Sequence, residues 1–511
     1  MRVLDSLRVH LPNTPVRRVV AVALAIQVLA AWFNGGRFNP DEHWQLLELA
    51  RYKLGQEPAS ALPWEFAARM RPGLQPWLAA GVFVALDRLR AFTPFVAAFV
   101  LRLASGLLGL WVALELCARC LPDIRRPVFR QLAFLGTLFL WIAPFLRGRF
   151  ASESWGGALA FAGVCLALDA TAARKGRKGR TLALAVGAGF VWGLAFYCRF
   201  QVGFIVAGAV AWVLVIRRPQ RALPAAMGVG FAVAVAFNTL VDHWLYGAWV
   251  LTPLRYWTEN LVDGRASSFG TSPWWATALP FLIILVPPFS VAFLAVLLVG
   301  AWRLRRHVLV WAIAPFVLAH ALVAHKEARF MYPLITALVP LLALSLDSLP
   351  ERLLGHLPAW RRSRAGRLAT RSFLLVNTLG LALLTVIPAH ESHPVVRWLW
   401  DAGAAGRVRL CTLTGSPYGI SESPARAGFY MPPNLVETKV TDVAQFLALR
   451  HTWPGERVLL FYPGFDPPPA LAAAGVACVP VARTLPAFLR HVPGFDAVKG
   501  GMVSTLCEPS P

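Results

Sequence analysis

The chain has 511 residues and a formal net charge of +24, yet only 15% of its residues are charged and 57% are hydrophobic. A soluble domain carries about 25% charged residues, so the deficit excludes a water-soluble globular protein and sets much of the surface against lipid. The basic residues fall in short clusters between apolar runs, as they do in cytoplasmic loops, and with no RNA or DNA motif among them nucleic acid is not an expected partner.

A spanning helix needs about 20 apolar residues. In chain order, such runs occupy residues 18–34, 94–118, 128–146, 155–172, 181–198, 201–216, 222–241, 274–300, 308–324, 330–347 and 372–388. The first follows Arg17 and Arg18 and has no small-x-small cleavage site after it, so it reads as an uncleaved helix. The stretch 74–89 is shorter and closes on Asp87, Arg88 and Arg90, which suits a helix lying at the interface. Charge decides that choice. With 74–89 left out, five basic groups share one side with Arg2, Arg8, Arg17 and Arg18. They are Arg125 to Arg130, the loop Arg174-Lys-Gly-Arg-Lys-Gly-Arg180, Arg217 to Arg221, Arg303 to Arg306, and Arg352 to Arg371. The positive-inside rule then gives about eleven spans, with the N-terminus inside and the C-terminus outside.

After residue 389 the character changes. Pro and Gly punctuate β-like runs such as Arg457–Tyr462 and Gly475–Val481, as expected of a small α/β domain. The expected fold is therefore an α-helical polytopic membrane protein. Residues 1–388 form the transmembrane domain, with a first outer loop at 35–93, and residues 389–511 form an extracytoplasmic α/β domain. Cys117, Cys120, Cys165 and Cys198 sit in apolar runs as packing residues. Cys411, Cys478 and Cys507 lie in the tail, where a disulfide is open but the pairing is not given by sequence.

Chemistry-bearing residues collect on the outer face. The first outer loop opens with Phe38-Asn-Pro-Asp-Glu-His-Trp-Gln45. Desolvation at an interface raises a carboxylate's pKa and makes it a usable base. The plainer reading is that Asp41 and Glu42 stabilise a helix start. The second cluster, His325-Lys-Glu-Ala-Arg-Phe-Met-Tyr332, puts three basic side chains within five residues on the side that the charge rule leaves poor in them. Lys and Arg there suit a lipid phosphate; snorkelling of interfacial cations is the alternative. Arg147-Gly-Arg-Phe-Ala-Ser-Glu153 and Tyr197-Cys-Arg199 add further ionisable groups at the same membrane depth. Tyr246 and Trp274, in a long aromatic outer loop, suit either a sugar or an interfacial belt.

These stretches resemble the GT-C mannosyltransferases that use dolichyl-phosphate-mannose, in the branch of the GPI-anchor third-mannose and ALG enzymes. The family's His-Pro-Asp-Glu-His/Tyr-x-Gln motif is read here as Asn39-Pro-Asp-Glu-His-Trp-Gln45, and its His-Lys-Glu-x-Arg-Phe-x-Tyr-Pro motif as His325-Lys-Glu-Ala-Arg-Phe-Met-Tyr-Pro333. Between them, Tyr246-Gly…Thr252-Pro and Ser267-Ser-Phe-Gly-Thr-Ser-Pro-Trp274 also match in order. The departures are Asn39 in place of His, Arg149-Phe-Ala-Ser-Glu153, and Trp275-Ala276 in place of a His-Trp pair; they leave the acceptor and the sugar open.

The resemblance implies an inverting transfer of a sugar, mannose in the family, from a polyprenyl-phosphate donor to a glycan or glycolipid acceptor. Asp41 would be the base and Glu42 its support. His325, Lys326, Arg329, Arg149 and Arg199 would hold the phosphate, without a metal or cofactor. His43, Trp44, Gln45, Glu153, Tyr246 and Trp274 would bind substrate. An Ala- and Arg-rich composition points to a bacterial inner membrane with a periplasmic site; a eukaryotic chain would have a lumenal site in the ER. The alternatives are a protein O-mannosyl or aminoarabinose-type GT-C transferase, and a lipid-linked-sugar flippase. A transporter, however, places its polar residues near mid-bilayer, whereas here they gather on one face.

Overall fold

The structure, a computed structural model, describes residues 2–172, 178–413, 415–420, 423–426, 428–491 and 503–510. Arg174, Lys175 and Arg177 of the basic loop lie outside the described residues. Eight helices among those described are long and apolar enough to cross a bilayer: Val16–Phe33, Pro94–Asp123, Ser152–Ala172, Lys178–Cys198, Phe200–Arg217, Ala222–Tyr246, Ala328–Asp347 and Arg364–Val386. The other three apolar runs are built from shorter helices. Run 274–300 divides into Trp274–Ile284 and Ser290–Arg303 around Pro287 and Pro288, which cannot donate to a helix and crowd the preceding turn. Run 128–146 divides into Pro127–Phe139 and Ala143–Arg147, with Leu140 leaving the helical region and Pro144 in the first turn of the second piece. The run at 308–324 is the helix Val308–Leu322. Residues 74–89 form the helix Leu74–Arg88.

The chain folds as two compact units. One holds Met1–Phe33, Trp64–Val82 and Phe99–Ile387; the other holds Asn34–Pro63, Phe83–Ala98 and Pro388–Pro511. Two pieces of the first outer loop thus group with the tail, where the sequence suggested a single boundary near 388.

In the helical unit, small residues let backbones approach, as lipid-facing bundles require. A side chain at Gly189 would strike the Met227 carbonyl, one at Gly230 the Val186 carbonyl, and one at Gly193 the Ala234 methyl, so Lys178–Cys198 and Ala222–Tyr246 pack in contact. Gly157 does the same for the helix Ser152–Ala172, whose backbone lies against Pro333. Arg125 and Arg126, legible in sequence only as orientation signals, donate backbone N–H bonds of 2.8 and 3.1 Å to the buried Asp347 carboxylate. The helix Arg364–Val386 leaves Leu374, Leu375, Leu379 and Leu383 exposed, as a lipid-facing helix does.

The second unit is built on β1 (Val408–Thr412), β2 (Gly419–Ile420), β3 (Ser423–Arg426), β4 (Leu435–Lys439), β5 (Arg457–Pro463), β6 (Cys478–Arg483) and β7 (Ser504–Pro509). Its main sheet runs β4-β1-β5-β7-β6, with β1 parallel to β4 and β5, and β7 antiparallel to β5 and β6. Cys411, Phe446, Leu460, Tyr462 and Leu471 form its core. Cys478 and Cys507 are joined by a disulfide, and Cys411 is free and buried. Residues 35–48 are tied into this unit at three points. Ala389 donates its N–H to Gly35 O at 2.8 Å, Arg37 Nη2 donates to Gly419 O at 2.7 Å, and Phe429 donates its N–H to Glu48 at 2.9 Å.

Candidate active site

In the second unit, Pro40 precedes a single helical turn, Asp41–Trp44. Pro at a helix start loses no needed donor, and the acidic pair Asp41-Glu42 opens the turn. Glu42 is buried; its carboxylate accepts the Phe38 N–H, and its own N–H reaches Asn39 Oδ1 at 3.4 Å. Asp41 is half-buried. His43, Trp44 and Gln45 are buried. His43 stacks on Tyr430 with ring centroids 5.6 Å apart, and the Arg37 guanidinium lies 4.7 Å from the Trp44 ring centre.

The next helix, Leu47–Lys53, brings Glu48 to His43: Nε2 lies 2.8 Å from Oε1. Burial pushes the Glu48 carboxyl up, but the His43 hydrogen bond, the charges of His43 and Arg51 and the Phe429 N–H outweigh it and hold Glu48 below the usual range. Sequence reasoning missed Glu48. Its one signal was an acid set among Leu46, Leu47, Leu49 and Ala50.

In the helical unit, the His325 motif builds a chain of alternating charge. His325 Nε2 lies 3.0 Å from Glu327 Oε1, and Arg329 donates to both Glu327 oxygens at 2.6 and 2.9 Å. Arg329 Nε also lies 3.9 Å from Glu153, and Arg199 Nη1 donates to the same Glu153 oxygen at 2.8 Å. Glu153 is 2% exposed, and Arg199 is buried with its guanidinium 5.2 Å from the Phe330 ring centre. Lys326 donates to two backbone carbonyls, Val323 O at 2.6 Å and Ser272 O at 3.0 Å. Beside it lies a cavity of about 220 Å³ whose lining includes Ser272, Thr277, His320, Lys326, Glu327 and Phe330.

Arg149 is buried, its guanidinium 5.7 Å from the Phe145 ring centre. Tyr246 bonds the backbone of Arg71, donating to its carbonyl at 2.7 Å and accepting its N–H at 3.2 Å, while Trp274 is 71% exposed. Asp242, also missed, is a buried carboxylate that takes the Gly73 N–H at 2.7 Å and the Thr252 hydroxyl at 2.6 Å. An ionisable residue near the end of an apolar helix was its signal. The structure therefore brings Glu153, Arg199, His325 and Arg329 into one network, and holds Asp41 and Glu42 on a separately supported turn.

A sequence profile of the Alg9-like mannosyltransferase family matches residues 18–396. The chain belongs to that family. It is 28% identical over 345 residues to a GPI mannosyltransferase 3 of Yarrowia lipolytica, an alignment that takes in 66% of this chain and 63% of that protein. This chain thus spans less than two thirds of the length of that curated relative. Among solved structures it is similar to ArnT from Cupriavidus metallidurans in the apo state, with a TM-score of 0.51 at 14% identity over 96% of this chain and 97% of that one. The undecaprenyl phosphate-bound form of the same protein gives a TM-score of 0.50 at 16% identity with the same coverage. At such identity the likeness is one of fold, the GT-C type. In this Alg9-like chain both motifs fall inside the matched span, whereas all seven strands of the tail lie beyond it.

Proposed function

We propose that the chain is a glycosyltransferase that moves a sugar, mannose by family, from a polyprenyl-phosphate carrier to a hydroxyl of a glycan or glycolipid on the outer face of the membrane. Asp41 takes the hydroxyl proton as the oxygen attacks the anomeric carbon, and Glu42 supports the turn that carries it. The bond from that carbon to the phosphate oxygen breaks, and its electron pair stays on the phosphate. Lys326, Arg329 and His325, with Arg199 and Arg149, stabilise that charge. One displacement inverts the anomeric centre, so a β-linked donor gives an α-linked product. His43, Trp44 and Gln45, buried as they are, act through the turn, and Glu153 acts through the arginines it orients. Tyr246 and Trp274 are assigned to substrate, as the family resemblance implies.

The observation that carries this reading is Lys326. Its ammonium is held by carbonyl dipoles alone among the described residues, at the wall of a cavity, beside a network in which Glu153 and Glu327 already serve Arg199, Arg329 and His325. A phosphate supplies the missing negative charge. The test is the purified full chain in nanodiscs, offered a panel of polyprenyl-phosphate sugars, nucleotide sugars and glycan acceptors. The expected result is transfer from a mannosyl lipid phosphate with inversion. Transfer from nucleotide sugars alone, or sugar-lipid translocation without transfer, would overturn it.

A further inference from the structure

Glu48 is 2% exposed. A buried carboxylate is costly unless it is fully paired, and this one collects donors from three stretches of chain. Oε1 accepts His43 Nε2 at 2.8 Å and the Phe429 N–H at 2.9 Å; Oε2 accepts Arg51 Nη1 at 2.8 Å. The Arg51 guanidinium is held in turn by Glu57 Oε2 at 2.7 Å and Gln56 O at 3.0 Å. The tail reaches the cluster through the short turn Gly428–Tyr430, which lies close against it: a Cβ at Gly428 would displace the Arg51 Nη1 and Glu57 Oε2 ends of the two side chains. The His43 ring is therefore held at one nitrogen by Glu48 and along one face by Tyr430, whose plane is 21° from its own.

We propose that Glu48 is a positioning residue for transfer: through His43 and the Phe429 amide it fixes the turn Asp41–Trp44 to the strand-bearing tail, and so sets the base. This rests on Asp41 being the base. His43 lies two residues beyond Asp41 in the same four-residue turn, so immobilising its ring immobilises the backbone that carries Asp41. Apolar packing would hold these segments together equally well, since a buried ionic cluster is often no more stable than a hydrophobic replacement. What a carboxylate with three directed donors adds is a fixed angle and register. A group that must meet a proton in the transition state needs that, because small misplacements there cost rate rather than affinity. The tail, which the family profile does not cover beyond residue 396, thereby becomes part of the catalytic apparatus.

The test uses the full chain in nanodiscs with Glu48→Met, Glu48→Gln, Gly428→Ala and Asp41→Asn. The readouts are single-turnover rate per folded molecule, donor affinity and melting temperature. The expected result is a rate loss per folded molecule of about tenfold to a hundredfold in Glu48→Met and a smaller one in Gly428→Ala, with donor affinity kept within about twofold; melting falls in Glu48→Met, whose three donors lose their acceptor. In the Asp41→Asn background, adding Glu48→Gln should remove little more from the residual rate, because both act through one group. A purely structural residue would lower melting and the folded yield while leaving the rate per folded molecule unchanged, and an unchanged rate overturns the proposal even if Asp41→Asn is inactive. If Glu48→Met does not fold, Glu48→Gln alone decides, since it keeps the side-chain shape and removes only the charge: a normal rate per folded molecule overturns the proposal. Normal turnover in Asp41→Asn would sink both this assignment and the choice of base.

Discussion

Around Glu48, one buried carboxylate takes three donors and the local charge is settled within the protein. Around Lys326, an ammonium takes two carbonyls, and the carboxylates nearby already serve other cations. The first arrangement needs nothing from outside and is suited to holding a shape. The second is left with positive charge beside a cavity and is suited to receiving an anion. The two regions should therefore respond differently to the same insult: change in the first should alter rate through geometry, and change in the second should alter affinity through charge.

The largest effect should come from the group that the first region supports. Asp41→Asn keeps the shape and removes the proposed base, so turnover should fall by about two to four powers of ten, with folding and donor binding kept. Steady-state rates and a donor-binding isotherm on the same preparation check this. A matching loss of donor affinity would break the division of labour between the regions.

Next in size is Glu153→Gln, which leaves Arg199 and Arg329 with a neutral neighbour in a buried place. Breaking a buried pair from one side costs about 3–5 kcal/mol, so melting temperature and yield should drop clearly. Glu153→Met combined with Arg199→Met should recover most of that stability without recovering activity, because the desolvation cost disappears with the charges while the proposed phosphate ligand stays lost. A double variant as unstable as the single one would mean that Glu153 serves chiefly as packing.

These assignments differ in how much of them could be read from sequence. Eight of the eleven apolar runs became full-length helices because length and hydropathy are local properties. The runs at 128–146 and 274–300 broke where Pro144, Pro287 and Pro288 fall, a signal present in the sequence but overridden by mean hydropathy. Both motifs were legible because each is a short contiguous stretch. Their partners were not. Glu153, itself paired with Arg199, reaches Arg329 from a segment more than a hundred residues away, and the Phe429 N–H that Glu48 accepts is a backbone group that no residue type announces. Hydrophobic periodicity marks where a chain folds on itself, whereas a directed hydrogen bond between distant segments leaves no periodicity to find.

A smaller effect should follow from Lys326→Ala and Arg329→Ala. Charge-assisted contacts to a phosphate are worth about 1.5–3 kcal/mol each, so donor affinity and transfer should each weaken by about tenfold or more, with acceptor affinity little changed. Competition by a short-chain prenyl phosphate in place of the donor isolates the anion from the sugar. Collapse of acceptor binding with the donor steps intact would mean that the roles of the two regions are exchanged.

The smallest effect concerns pH and two groups of the second unit, His390 and Glu48. Burial, then the Arg37 charge, press the His390 imidazole down to about 4, with Glu391 opposing them and His43 adding to them. The geometry agrees: His390 Nδ1 accepts the Ser392 N–H at 3.2 Å, a bond that a proton on that nitrogen would abolish. An ordinary histidine titrates at 6.5, so between pH 6.5 and about 4 the unfolded chain binds a proton that the folded chain refuses. The His390 contribution to stability is therefore level above pH 6.5 and is lost as pH drops through that window. Glu48 acts with the same sign in a lower one. Its folded value lies below the ordinary 4.5, so its contribution is present above 4.5 and is lost as pH falls through the folded value. Thermal unfolding of the full chain as pH is lowered from 7.5 should show the fall through the His390 window, and His390→Gln should remove it while leaving the Glu48 loss that begins below 4.5. A profile in which His390→Gln tracks the parent throughout would mean that His390 titrates alike in the folded and the unfolded chain. Below pH 6.5 the Arg37 cluster would then carry a second positive charge that it has to balance, and the contrast between a settled region and a receptive one would narrow to Glu48 alone.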